Sequence, residues 1–204
     1  MSISNSEQLK PILEKNAEIM LNIAKELKEY DSIGASIFTK LGLKDECKIK
    51  YDLNARVTAE LVDNVVVIQP YYFLDKDKSE LEFALSHEIG HYRYPIIKRL
   101  SMFIPVISLI SYYSFDYKRI NPFNLLFLGS CTLISTCLLK RQEETWCDNY
   151  AVANIGKEGG INFFTSLSAL EEKEKKDYSL YKRLLSYDWT HPSFHARIKN
   201  INSL

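Results

Sequence analysis

Apolar residues recur at helical spacing near the start of the chain, at Leu9, Ile12, Leu13, Met20, Ile23, Ala24 and Leu27. This predicts an amphipathic helix with a core-facing stripe, a membrane-surface role being the alternative. The period drops to two over Lys48–Leu53. It does so again over Arg56–Leu61 and Val65–Ile68, on either side of Asp63-Asn64, which predicts a strand followed by a β-hairpin. From Ser79 to Tyr94 the helical period returns through Leu81, Ala84, Leu85, Glu88 and His91. Ser79 is the expected N-cap, Glu80 and Glu82 suit the positive end of the helix dipole, and Pro95 cannot continue the ladder. Gln142–Ile155 predicts a second long helix ended by Gly156, and Gly159-Gly160 a further break. Ile161–Leu170 predicts another helix, and the charge-dense run Glu171–Asp177 a solvated face or loop. There is no internal repeat.

Two runs stand out from this amphipathic pattern because they carry no charge. One of 16 residues lies between Arg99 and Asp116, and one of 20 between Arg119 and Lys140. As helices they extend roughly 24 and 30 Å, against a hydrocarbon core near 30 Å. Tyr112, Tyr113 and Tyr117 fall where an interfacial aromatic belt is expected, and Asp116-Tyr117-Lys118-Arg119 forms a tight polar link. The pair predicts a transmembrane helical hairpin, with two buried core helices as the alternative. Arg93, Lys98, Arg99, Lys140 and Arg141 flank the hairpin, whereas its turn carries Lys118 and Arg119. That imbalance predicts a two-pass protein of the cell membrane with the bulk of the chain in the cytoplasm.

Composition adds little. The chain has 204 residues, 46% of them hydrophobic, enough for one good core. A formal net charge of zero gives no reason to expect a nucleic-acid partner. Cys47, Cys131, Cys137 and Cys147 have neither metal-site nor disulfide-framework spacing and read as reduced thiols. The polar stretch Ser2–Lys10 predicts no signal peptide.

The chemistry is concentrated in His87-Glu88-Ile89-Gly90-His91. Positions i and i+4 share a helix face, so both imidazoles can bind one metal ion. The glutamate directly after the first histidine can take a proton from a water on that metal, which is the requirement of a zinc peptidase. Two histidines leave tetrahedral zinc one protein ligand short. The candidates lie on the later helix, where Glu144 and Asp148 share a face: one can ligate while the other fixes the tautomer of a ligand histidine.

SELEFALSHEIGH, an apolar hairpin, ExxxD within RQEETWCDNYAV and a terminal HPSFHARI together resemble the HtpX-type and CAAX-prenyl-protease-type zinc metallopeptidases, over about Asn54–Ile198. The resemblance implies a mainly helical α+β, gluzincin-like fold with an active-site helix, a second ligand helix and a small antiparallel sheet. It implies His87, His91 and Glu144 as zinc ligands, Glu88 as general base and Asp148 as the partner of a ligand histidine. It also implies Asn54 on the substrate backbone, and His191 and Arg197 near the site. The chain departs from the resemblance in three respects. It has neither the many membrane segments nor the large intramembrane chamber of the prenyl-protease type, so prenylated substrates are not implied. A soluble amphipathic helix stands where transmembrane helices usually precede the sheet, and Cys147 replaces a small alanine.

The expected organisation is a first half of the peptidase over 1–98, the hairpin over 99–139 and a second half over 140–204. One zinc per chain is expected. His191 is the candidate donor to the oxyanion, or else a cap of the last helix, and Arg197 is expected to pair with an acidic group in the core. The expected partners are a polypeptide substrate, extended along a sheet edge near Val65–Ile68, and the lipid bilayer. The alternatives are a catalytically silent zinc-binding membrane protein and a soluble protease with a core-packed hairpin. Substrate identity and oligomeric state are not encoded in these patterns.

Overall fold

The computed structural model describes residues 5–55, 58–94, 103–108, 110, 122–176 and 189–204. The elements run in the order α1 (Asn5–Lys40), β1 (Lys48–Tyr51), β2 (Ala59–Val62), β3 (Val65–Ile68), α2 (Pro70–Phe73), α3 (Lys78–Arg93), α4 (Pro122–Ile155), α5 (Lys157–Lys175) and α6 (Phe194–Ser203). The architecture is mainly helical, as expected, but the sheet is mixed rather than antiparallel. Its order is β1-β3-β2, with β1 parallel to β3 and β2 antiparallel to it. The Asp63-Asn64 turn forms the expected hairpin. Both residues have positive φ, 46° and 66°, the combination a two-residue hairpin turn of matching twist requires. β3 therefore returns between its two neighbours, burying Val66 and Ile68 on one face. It is not an edge, and the expectation of a substrate strand along Val65–Ile68 is overturned: among the described residues the outer strands are β1 and β2.

The core lies between α1, the sheet, α3, α5 and α6. Ile37, Phe38 and Leu43 meet Val66 and Ile68 from one side, and Leu81, Phe83, Leu85 and Ile89 of α3 run through its centre. Each such buried side chain contributes about 1.5–3 kcal/mol. α3 starts earlier than its Ser79 suggested. Asp77 is the N-cap, its carboxylate accepting the Ser79 N–H at 2.8 Å.

Gly159 and Gly160 do not break the chain. They lie inside α5 because this helix crosses α3 closely. A Cβ on Gly159 would stand 2.2 Å from the Ser79 carbonyl oxygen, and one on Gly160 2.5 Å from the Phe83 ring. The pair is a packing device rather than a turn.

The second apolar run and the expected helix Gln142–Ile155 are one element. α4 continues for 34 residues, because Lys140, Arg141 and Gln142 are good helix formers with no proline or glycine among them. Its most apolar 18-residue stretch has none of its residues buried, and Phe123, Leu126, Phe127, Leu133 and Leu138 are all exposed. α4 is one helix long and apolar enough to cross a membrane among the described residues. Of the first run, residues 103–108 and 110 are helical, with Phe103, Val106, Ile107 and Ile110 exposed. The linking turn 116–119, Arg56, Pro95 and Asp177 lie outside the described residues.

Candidate metal centre

The centre forms where α3 and α4 cross. Gly90 permits the approach: a Cβ there would lie 2.9 Å from the Cys147 Cα. The register is antiparallel, so successive turns of α3 meet earlier turns of α4. His87 faces Glu144 and Asp148, and His91, one turn on, faces Glu143 and Glu144.

Glu144 is the hub. His87 Nε2 stands 3.4 Å from its Oε2, and His91 Nε2 stands 3.4 Å from its Oε1. One imidazole nitrogen each from His87 and His91 and one carboxylate oxygen of Glu144 lie within 4.8 Å of one another. The outer nitrogens are held as well. His87 Nδ1 meets Asp148 Oδ1 at 2.9 Å and His91 Nδ1 meets Glu143 Oε1 at 3.1 Å. With both Nδ1 atoms turned outward to carboxylates, both Nε2 atoms converge inward. Two imidazoles and one carboxylate with an open remaining position is the donor set of a catalytic zinc site, and hydrogen-bonded outer nitrogens are its usual support.

α6 completes the surroundings. Ser193 caps it, accepting the Ala196 N–H, and Arg197, one turn in, points into the centre. Its Nε and Nη2 donate to Asp148 at 2.8 and 2.6 Å, and its Nη1 lies 3.1 Å from Glu144 Oε2. The guanidinium stacks on Phe164 at 4.1 Å. The segment before α6 brings His191 in, Nε2 3.2 Å from Glu144 Oε1, with the ring 48% exposed. His191 Nδ1 stands 3.0 Å from the Thr190 hydroxyl. Glu88 shares α3 but turns toward the sheet, where its Oε2 accepts the Leu61 N–H at 2.9 Å.

The electrostatics follow from this crowding. Burial favours the neutral form of Glu144, but the contacts with His191, His87 and His91 outweigh it and hold the carboxyl far below the usual range. Burial likewise opposes the charge on Asp148, and Arg197 with His87 overcomes it. Burial lowers both His87 and His91, yet Asp148 and Glu144 outweigh it at His87, and Cys147 with Glu143 and Glu144 outweighs it at His91, so both imidazoles titrate above their ordinary value. Glu88 is the exception: its burial dominates and raises its pKa. Three histidines and an arginine thus gather round one ionised carboxylate, at the point where a divalent cation can replace protons.

The sequence-predicted residues His87, His91, Glu144, Asp148, His191 and Arg197 are all brought together, with Glu88 on the adjoining turn of α3. Asn54 is not among them. It lies in an exposed turn after β1, its N–H donating to Asp52 Oδ1 at 2.9 Å, and no described contact joins it to the histidines. Sequence reasoning did not assign Glu143 a partner, and it had no signal for Phe164 beneath Arg197 or for the Leu61 amide at Glu88.

Residues 48–204 match the family model of Peptidase family M48. No curated protein and no solved structure matches the chain.

Proposed function

The chain belongs to peptidase family M48, a family of metallopeptidases, and from that premise we propose that it is a membrane-anchored zinc endopeptidase. In this reading His87, His91 and Glu144 hold one zinc ion per chain. The observation that carries it is the convergence of one nitrogen from each imidazole and one carboxylate oxygen within 4.8 Å, with both Nε2 atoms turned to Glu144 and both outer nitrogens held by carboxylates. When bound, zinc supplies a Lewis acid for a peptide carbonyl and acidifies a water toward a pKa of about 7.

The chain's own groups account for the remaining steps. Glu88 takes the proton of the attacking water and delivers it to the leaving amine. Its burial raises its proton affinity, and the Leu61 N–H holds one oxygen and leaves the other for the water. Asp148, itself held by Arg197, sets the tautomer of His87. His191 is exposed beside Glu144 and is the proposed donor to the oxyanion as charge develops. Asn54 is retained as a substrate contact only through the resemblance, since its turn has no described link to the centre.

The substrate runs along β2. Flanking a two-residue turn, Val62 and Val65 form the hydrogen-bonded pair, so Ala59 and Leu61 direct their main-chain groups to the free edge. The Leu61 N–H already ends at Glu88. A peptide added to this edge passes the general base, and main-chain pairing holds it largely independently of its sequence.

Membrane anchoring rests on the exposed apolar side of α4 and on the exposed apolar residues Phe103, Val106, Ile107 and Ile110. So large an apolar surface calls for lipid or a partner. A two-helix hairpin with the peptidase in the cytoplasm fits the basic residues at its ends. Glu144 follows Lys140 on the same helix by one turn, roughly 6 Å along the axis, so the centre lies close above the bilayer surface.

The test is metal analysis and a broad peptide-cleavage profile on detergent-purified protein, before and after chelation. About one zinc per chain, and cleavage that chelation abolishes and zinc restores, are expected. Bound zinc without cleavage favours a silent zinc-binding scaffold.

A further inference from the structure

We propose that Glu143 is a positioning residue for His91: it fixes the ring so that Nε2 faces the metal, the counterpart on this turn of what Asp148 does for His87. The inference rests on the reading of His91 as a zinc ligand and names a residue that this reading leaves out.

The geometry is specific. Glu143 is 8% exposed although it sits on a helix whose preceding turns are open. Its Oε1 stands 3.1 Å from His91 Nδ1, while the neighbouring Glu144 reaches Nε2 of the same ring. Consecutive glutamates point about 100° apart on a helix. One alone can face the metal, and here the other wraps to the far side of the imidazole. The pairing is set by the helix crossing. α3 advances four residues from His87 to His91 while α4 retreats five from Asp148 to Glu143, and contact at Gly90 and Cys147 fixes that register.

The two supports differ in charge. Asp148 shares its carboxylate with Arg197 through two hydrogen bonds. Among the described residues, the side-chain hydrogen-bond partner of Glu143 is His91. His91 is also the more exposed ring, 23% against 9% for His87. It has less packing to hold its orientation, so its polar contacts with Cys147, Glu144 and Glu143 weigh more, and among the described carboxylates only Glu143 meets Nδ1.

The experiment compares full-length wild-type protein with Glu143→Ala and Glu143→Gln in detergent. Zinc affinity is read by competition with a chelator, and the ring N–H protons by NMR of zinc-loaded, histidine-labelled protein. Loss of such an outer partner typically weakens metal binding 10–100-fold, and that loss is expected for Glu143→Ala, with disappearance of a hydrogen-bonded His91 Nδ1–H signal. Glu143→Gln keeps an acceptor oxygen and should recover most of the affinity and the signal. Three results overturn the proposal: wild-type affinity in Glu143→Ala, no recovery in Glu143→Gln, or a loss of affinity matched by a fall in the melting temperature of the metal-free protein. Failure of the wild type itself to bind zinc is a different outcome, and it overturns the reading of the whole centre.

Discussion

Arg197 clasps Asp148 through two hydrogen bonds, Nε to Oδ2 at 2.8 Å and Nη2 to Oδ1 at 2.6 Å. Both side chains are buried, Asp148 to 1% exposure. The pair ties the last helix to α4 and orients the carboxylate that meets His87. Breaking a buried pair by removing one partner typically costs about 3–5 kcal/mol, because the other charge is left without compensation. Arg197→Met should therefore lower stability by that order and weaken zinc binding as well. Denaturant unfolding of the metal-free protein and chelator competition read the two effects. A variant that unfolds at the wild-type midpoint shows that the clasp is not structural.

The α5–α3 crossing predicts a sharp steric effect. Gly159→Ala puts a Cβ 2.2 Å from a main-chain oxygen of α3, which cannot swing aside as a side chain end can. Overpacking of this kind costs about 1–3 kcal/mol. Thermal denaturation of Gly159→Ala should show the loss. An unchanged or higher melting temperature contradicts a close crossing of α5 and α3 at this glycine.

The same crossing marks where sequence reasoning stopped. A glycine pair read along the chain looks like a break, and only the neighbouring helix reveals it as a contact. The histidine pair and the Glu144/Asp148 face were legible because each lies within one helix, where spacing fixes the face. Glu143 was not, since which of two adjacent glutamates turns to which nitrogen depends on the crossing of two helices far apart in sequence. The hairpin turn at Asp63-Asn64 was readable from local chemistry. The order β1-β3-β2, which moves the free edge from Val65–Ile68 to Ala59–Val62, depends on a pairing between segments that no periodicity encodes.

Proton competition gives a pH prediction with a definite sign. In the metal-free fold His87 and His91 titrate above the unfolded value near 6.5. Their contribution to folding is full below about pH 6.5 and fades as pH rises through the higher folded values. Zinc must displace those protons, so its affinity grows with pH, by up to about tenfold per unit for each proton released. The zinc-induced rise in melting temperature should be larger at pH 8 than at pH 6. Equal increments at both values contradict protonated histidines in the metal-free centre.

The hairpin proposal is tested by sidedness. In a background lacking the four native thiols, a cysteine at Tyr117 should react with an impermeant reagent from outside the cell. A cysteine at Glu174, exposed on α5, should react only after permeabilisation. The protein should also stay with membranes through carbonate washing. Labelling of both positions from the same side rules out a spanning hairpin and leaves the chemistry of the centre untouched.

The central claim is that Glu88 moves the proton while His87, His91 and Glu144 hold the metal. Peptide cleavage by Glu88→Gln, with zinc content and melting temperature recorded on the same sample, tests it most directly. Zinc at the wild-type level, an intact fold and cleavage reduced by roughly 10²-fold or more, the scale of a lost general base, are predicted. A Glu88→Gln protein that binds zinc and cleaves at the wild-type rate contradicts the account.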